Sequence, residues 1–148
     1  MSSKPKVLLV DDEERFRKTT ARLLKGNGLE VLTAASGKEA IHEVTTNAYD
    51  VIILDVRMPE MSGIEALKEI KKIKPGVEVI MLTGHASVDT AFEILKLGAC
   101  DYLFKPCSVE ELMDKIDRAY ESKLAREKTL TVPGAAPAPA PTGSGPSR

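Results

Sequence analysis

The sequence predicts an open, parallel α/β sheet with helices on both faces. Three observations carry that prediction. Short apolar runs alternate along the chain with longer amphipathic ones, five of each. The strongest runs, Val7-Leu-Leu-Val10 and Val51-Ile-Ile-Leu54, are apolar at every position, as strands covered on both sides must be. Parallel neighbours need long crossovers, and each amphipathic stretch is long enough to supply one as a helix.

In chain order, the first strand covers residues 7–10 and leads into a helix at about 14–26. A weaker strand, 30–34, precedes a helix at 37–47. The third strand, 51–54, is followed by a helix at 63–73, and the fourth, 77–82, by one at 87–97. A weaker fifth strand, 101–104, leads into a helix at 108–127 whose stripe is the clearest: Val109, Leu112, Met113, Ile116, Ala119 and Tyr120 share one face. Ser108 in front of it, with Glu111 three residues on, makes a capping box. Gly26, Gly28, Gly76 and Gly98 mark helix ends or turns. Beyond Tyr120 the stripe thins to Leu124, so residues 121–128 are expected to fray. The folded domain is expected over residues 4–128, with 129–148 a disordered tail. From Val132 to Arg148 the chain holds five of its nine prolines, three glycines, four alanines and one charge, too little apolar surface to offset the entropy of ordering.

The 148 residues carry 21 Lys+Arg against 22 Asp+Glu, with 43% hydrophobic and 29% charged residues. This ordinary globular mixture lacks the basic footprint of a direct nucleic-acid binder. No apolar run approaches the roughly 18 residues that span a bilayer. Only Val7 to Val10 precede Asp11 as an apolar run, so a secretory leader is not expected either. Cys100 and Cys107 are too few for a disulfide framework or a four-ligand zinc site, and both are expected to be reduced, inert and, as free cysteines commonly are, buried. A cytoplasmic single-domain protein remains.

The residues after each strand carry the chemistry. The first strand runs into Asp11-Asp12, the third into Asp55, the fourth into Thr83 and the fifth into Lys105-Pro106, while the second ends blandly at Ala34-Ala35. Ligands of open α/β sheets bind beyond the carboxyl ends of the strands, where strand order reverses. An order of 2-1-3-4-5 brings Asp11, Asp12 and Asp55 together, closes the pocket with Thr83 and Lys105, and sends the bland strand to an edge. Three converging carboxylates raise one another's pKa unless a cation compensates them. All-oxygen donors, few enough to leave room for water, suit Mg²⁺ or Mn²⁺ better than zinc or copper. A lysine point charge and a threonine hydroxyl suit phosphoryl oxygens, and an ionised aspartate is a competent nucleophile toward phosphorus. Taken singly, Asp11-Asp12-Glu13-Glu14 could be favourable charge at a helix start, Asp55 a loop residue, and Thr83-Gly84 a turn. Four strand ends converging on one coherent set argue otherwise.

The chain resembles the receiver domains of bacterial two-component response regulators. The resemblance rests on Val7-Leu-Leu-Val-Asp-Asp-Glu-Glu14, Ile53-Leu-Asp-Val-Arg-Met-Pro-Glu-Met-Ser-Gly63, Ile80-Met-Leu-Thr-Gly84 and Gly98-Ala-Cys-Asp-Tyr-Leu-Phe-Lys-Pro106, and covers roughly residues 5–122. It implies a flavodoxin-like five-stranded parallel sheet of order 2-1-3-4-5. It makes Asp55 the phosphoacceptor, and Asp12, Asp55 and the backbone carbonyl of Arg57 the Mg²⁺ ligands, with Asp11 acting largely through metal-bound water. Thr83 would bond one phosphoryl oxygen and Lys105 another. Pro106 would follow a cis bond, and Tyr102 would be the switch aromatic that turns inward with the threonine. The resemblance also implies a sensor histidine kinase or phosphotransfer protein as donor. The downstream target, or a second receiver in a phosphorylation-dependent homodimer, would bind the face of the fourth helix, fifth strand and fifth helix, about residues 86–122. Segment 82–90 is similar to receivers of enhancer-binding activators, so the chain is expected to be a stand-alone regulator or an excised receiver, with DNA binding left to another chain or domain.

Smaller features have plainer readings. Gly63 is expected to start a helix and give backbone freedom beside the acceptor. Arg57 and His85 sit where access of hydrolytic water is tuned, and His42 is expected to face solvent. Competing functions fit less well. An aspartate-nucleophile phosphatase would need a second Asp at the position of Arg57; a flavin carrier would be repelled by Asp11-Asp12-Glu13-Glu14; a degenerate docking module would lack an acceptor-site residue, and none is missing.

Overall fold

The computed structural model describes residues 4–84 and 88–131. Five strands alternate with five helices: β1 (Lys6–Val10), α1 (Glu14–Gly26), β2 (Glu30–Ala34), α2 (Gly37–Thr46), β3 (Val51–Asp55), α3 (Gly63–Ile73), β4 (Glu78–Thr83), α4 (Val88–Lys96), β5 (Asp101–Phe104) and α5 (Val109–Thr131). The strands form one parallel sheet ordered β2-β1-β3-β4-β5. The fold class and strand order expected from the sequence are those observed.

Alternation along the three central strands divides the core into two layers, because successive side chains leave opposite faces of a strand. Leu8, Val10, Ile52, Leu54, Val79 and Met81 point one way and meet Ala40 and Val44 of α2, Leu67 and Ile70 of α3, and Ile94 of α4. Val7, Leu9, Val51, Ile53, Ile80 and Leu82 point the other way, onto Ala21 and Leu24 of α1 and Leu112 and Ile116 of α5. Strands apolar at every position are therefore those with a helix layer on each side.

The starts of α2, α3 and α5 are chemically capped. Ser108 and Glu111 form the reciprocal box read from the sequence, with bonds of 2.9 and 3.0 Å. Ser62 and Glu65 build a second one ahead of α3, and Ser36 caps α2.

The last turns of α5 depart from expectation. Residues 121–128 do not fray; the helix continues to Thr131, three residues past the boundary expected at 128. Polar anchors replace the missing apolar stripe. Lys123 pairs with Asp50 at 3.2 Å at the foot of β3, and Arg126 pairs with Glu78, the buried first residue of β4. Arg126 also donates to the Gly76 carbonyl at 3.1 Å. The expected tail from Val132 onward, and His85, lie outside the described residues. Cys100 is exposed rather than buried, and Cys107 is half-buried. Desolvation, with the charges of Glu78 and Asp101, nevertheless pushes the Cys100 thiol up to about 12, so it stays protonated. Among the described residues no helix is long and apolar enough to cross a membrane.

Candidate functional site

The carboxyl ends of β1 and β3 lie side by side, with Val10 opposite Leu54. The residues that follow are thereby gathered in one crevice at the topological switch point. Asp11, directly after β1, is fully buried. One of its carboxylate oxygens accepts the Glu13 N–H at 2.9 Å and the other accepts from Lys105 Nζ at 2.7 Å. Its main-chain carbonyl accepts from Arg17 Nη1 at 2.8 Å, so α1 reaches back to hold the loop that carries it. Asp12 is exposed and faces the same crevice: one carboxylate oxygen from each of Asp11, Asp12 and Asp55 lies within 4.8 Å of the others.

Asp55 closes β3 and is 6% exposed. Lys105 Nζ stands 3.6 Å from its Oδ1. Burial first, and then the neighbouring Asp11 charge, push its carboxyl up to about 6, against the opposing pull of Lys105 and the Arg57 N–H. Burial by itself would lower the Lys105 ammonium, but the Asp11 hydrogen bond and the Asp55 and Asp11 charges outweigh it and hold the group above the ordinary lysine range. A single ammonium is thus shared by two buried carboxylates, with an exposed third beside them, which leaves the crevice short of positive charge. Its donors are all hard oxygens with an open side toward solvent, so the set fits a divalent ion of the Mg²⁺ class.

The other expected residues fall around this centre. Thr83 ends β4, 2% exposed and one step past Leu82, the register partner of Asp55. Its carbonyl accepts the Lys105 N–H at 2.8 Å, which ties the β4 and β5 ends together. Tyr102 is half-buried on β5 against the core layer covered by α2, α3 and α4, its ring edge-on to Phe104 at 5.6 Å between centroids. The Lys105–Pro106 peptide is cis. The Arg57 side chain points out to solvent, and His42 is exposed on α2.

Two features were not legible as such in the sequence. Gly63 lies buried against the end of β3: a Cβ there would sit 2.0 Å from the Asp55 carbonyl oxygen and 2.8 Å from Val56 Cα. Close approach, not the conformational freedom expected, is why glycine stands there, since its φ is not in the left-handed region. The loop returns to this contact through Glu60, at φ 69°, and the Gly63 N–H donates to the Val56 carbonyl at 2.8 Å. The second is α1 itself, whose first turns bring Phe16 and Arg17 back onto the pocket.

An acidic crevice with one opposed lysine, at the switch point of a parallel sheet, has the chemistry to seat a divalent ion beside an anionic group. The sequence pattern of the response regulator receiver domain matches residues 7–117, and the chain belongs to that family. The transcriptional regulatory protein ZraR of Escherichia coli is 42% identical over 113 residues, 76% of this chain and 26% of that protein. The DNA-binding transcriptional regulator NtrC of Klebsiella pneumoniae is 37% identical over 125 residues, 84% of this chain and 27% of that protein. The chain thus spans about a quarter of the length of these curated relatives. A CheY-like receiver domain protein from Methanospirillum hungatei JF-1 has the same fold at a TM-score of 0.80, with 30% identity over 84% of this chain and 99% of that one.

Proposed function

We propose that the chain is a signalling switch that takes a phosphoryl group from a sensor histidine kinase or phosphotransfer protein onto Asp55. A carboxylate oxygen of Asp55 forms the new P–O bond as the donor's P–N bond breaks, and the neutral imidazole leaves. Lys105 pairs with one phosphoryl oxygen and the Thr83 hydroxyl donates to another, so both would offset the charge that develops in transfer. Asp12, Asp55 and the Arg57 carbonyl would hold Mg²⁺ or Mn²⁺ directly. Asp11, both of whose oxygens already accept hydrogen bonds, would act through metal-bound water. The ion, when bound, supplies the positive charge that one lysine cannot. The observation that carries this reading is Lys105 Nζ poised 2.7 Å from Asp11 and 3.6 Å from Asp55 at the mouth of a three-carboxylate crevice.

Output would come from the α4–β5–α5 face. Phosphoryl contacts to Thr83 and Lys105 favour one arrangement of the loops that bear them, and Tyr102 sits on the strand between. That face exposes Phe92 at 68%, Leu95 at 44% and Phe104 at 51%, apolar surface suited to a downstream target or to a second receiver. The protein would work in the cytoplasm, without turnover of a small molecule and without touching nucleic acid itself. The test is incubation with Mg²⁺ and acetyl phosphate, followed by intact mass measurement beside Asp55→Asn. A single phosphoryl adduct on the parent chain alone is expected. No adduct on either chain, or the same adduct on both, refutes the assignment.

A further inference from the structure

We infer that Phe16 is a positioning residue for the phosphoacceptor reaction, its ring forming the seat that keeps the Lys105 ammonium in the pocket. The inference rests on the phosphoacceptor reading above and adds a residue to it. Lys105 Nζ lies 4.4 Å from the centroid of the Phe16 ring, inside cation–π range. Two carboxylates draw the same ammonium inward, at 2.7 and 3.6 Å. A lysine stem is flexible, and its strongly hydrated head gains from swinging out to water. With the Lys105 side chain 21% exposed, that exit is open on one side. The Phe16 ring flanks the ammonium. It rises from the first turns of α1, packs with Cys107 and Val109 against the core layer covered by α1 and α5, and presents its face to the ammonium. Its neighbour Arg17 bonds the Asp11 carbonyl from the same turn. One turn of α1 thus holds both members of the Asp11–Lys105 pair, the carboxylate through its backbone and the cation through a π face.

An aliphatic residue here would fill the packing against Cys107 and Val109 but would offer the cation no quadrupole. The discriminating variants are Phe16→Leu, which keeps apolar volume, and Phe16→Tyr, which keeps the ring. Two readouts are expected to move together. In metal-free protein, proton NMR of the Lys105 ε-methylene should show an upfield ring-current displacement that Phe16→Leu abolishes and Phe16→Tyr preserves. In Mg²⁺, the affinity for beryllofluoride should fall about two- to thirtyfold in Phe16→Leu and recover in Phe16→Tyr, the range set by exposed to desolvated cation–π contacts. Thermal midpoints recorded alongside separate this from loss of the fold. An unshifted methylene in the parent chain, or equal beryllofluoride affinity in all three proteins, overturns the positioning role and leaves the phosphoacceptor reading intact. A parent chain that takes up neither beryllofluoride nor a phosphoryl group overturns the phosphoacceptor reading and this inference with it.

Discussion

Replacing Asp55 with Asn should stabilise the metal-free protein at neutral to alkaline pH, although it removes the proposed acceptor. The cause is charge crowding: Asp55 is buried beside Asp11 and shares a single lysine with it, and its carboxyl is raised from 3.8 to about 6. A carboxyl whose folded pKa lies above its unfolded value contributes stability below the unfolded pKa and loses it as pH rises through the folded one. The destabilisation therefore builds between 3.8 and about 6 and is complete by about pH 8. A rise of that size corresponds to about 3 kcal/mol at full ionisation. Water reaching the crevice beside exposed Asp12 trims this to roughly 1–3 kcal/mol. For a domain of this size the Asn variant should melt roughly 5–10 °C higher than its parent at about pH 8 in chelator, a difference that shrinks toward zero near pH 4. Saturating Mg²⁺ should stabilise the parent by mass action and the variant less, narrowing the gap or reversing it. Calorimetric or circular-dichroism melts across pH, with and without Mg²⁺, decide the matter. An Asn variant no more stable than its parent at about pH 8 without metal, or a gap independent of pH, refutes the charge-crowding account.

Two further substitutions probe the scaffold. Gly63→Ala should cost about 2–4 kcal/mol in urea unfolding, because its methyl would meet the Asp55 carbonyl at 2.0 Å and backbone cannot yield cheaply. It should also slow acetyl-phosphate labelling at least several-fold by displacing Asp55, the proposed acceptor, and a variant with parental stability and rate would contradict the close approach. Arg126→Met should cost roughly 1–3 kcal/mol, less than a fully buried pair would, because Glu78 is 4% exposed but the arginine side chain is 48% exposed. Adding Glu78→Gln should recover part of that loss in the same denaturant assay, and strict additivity of the two changes would count against a direct pair.

Local order was legible in the chain because its causes are local. Runs such as Val51 to Leu54 read as strands covered on both faces, Ser108 and Glu111 read as a cap, and the residues after each strand could be placed in one crevice once the parallel order was inferred. Asp11, Asp12, Asp55 and Lys105 are the residues the crevice brings together. Contacts between residues distant in sequence were not legible. Arg126 finds Glu78 across 48 positions, so a helix end that looked too polar to persist is anchored, whereas hydrophobic periodicity registers only apolar partners. Gly63 looked like a source of backbone freedom and is a point of contact, because the backbone it must clear belongs to another element. Phe16, on α1, lies over a cation 89 residues away, and a ring's quadrupole matters only once folding brings a charge to its face. Periodicity and strand-end chemistry, written in neighbouring residues, determined the fold and the charge of the site. Tertiary packing alone decided which groups hold those charges in place, because such pairs depend on where whole elements come to rest.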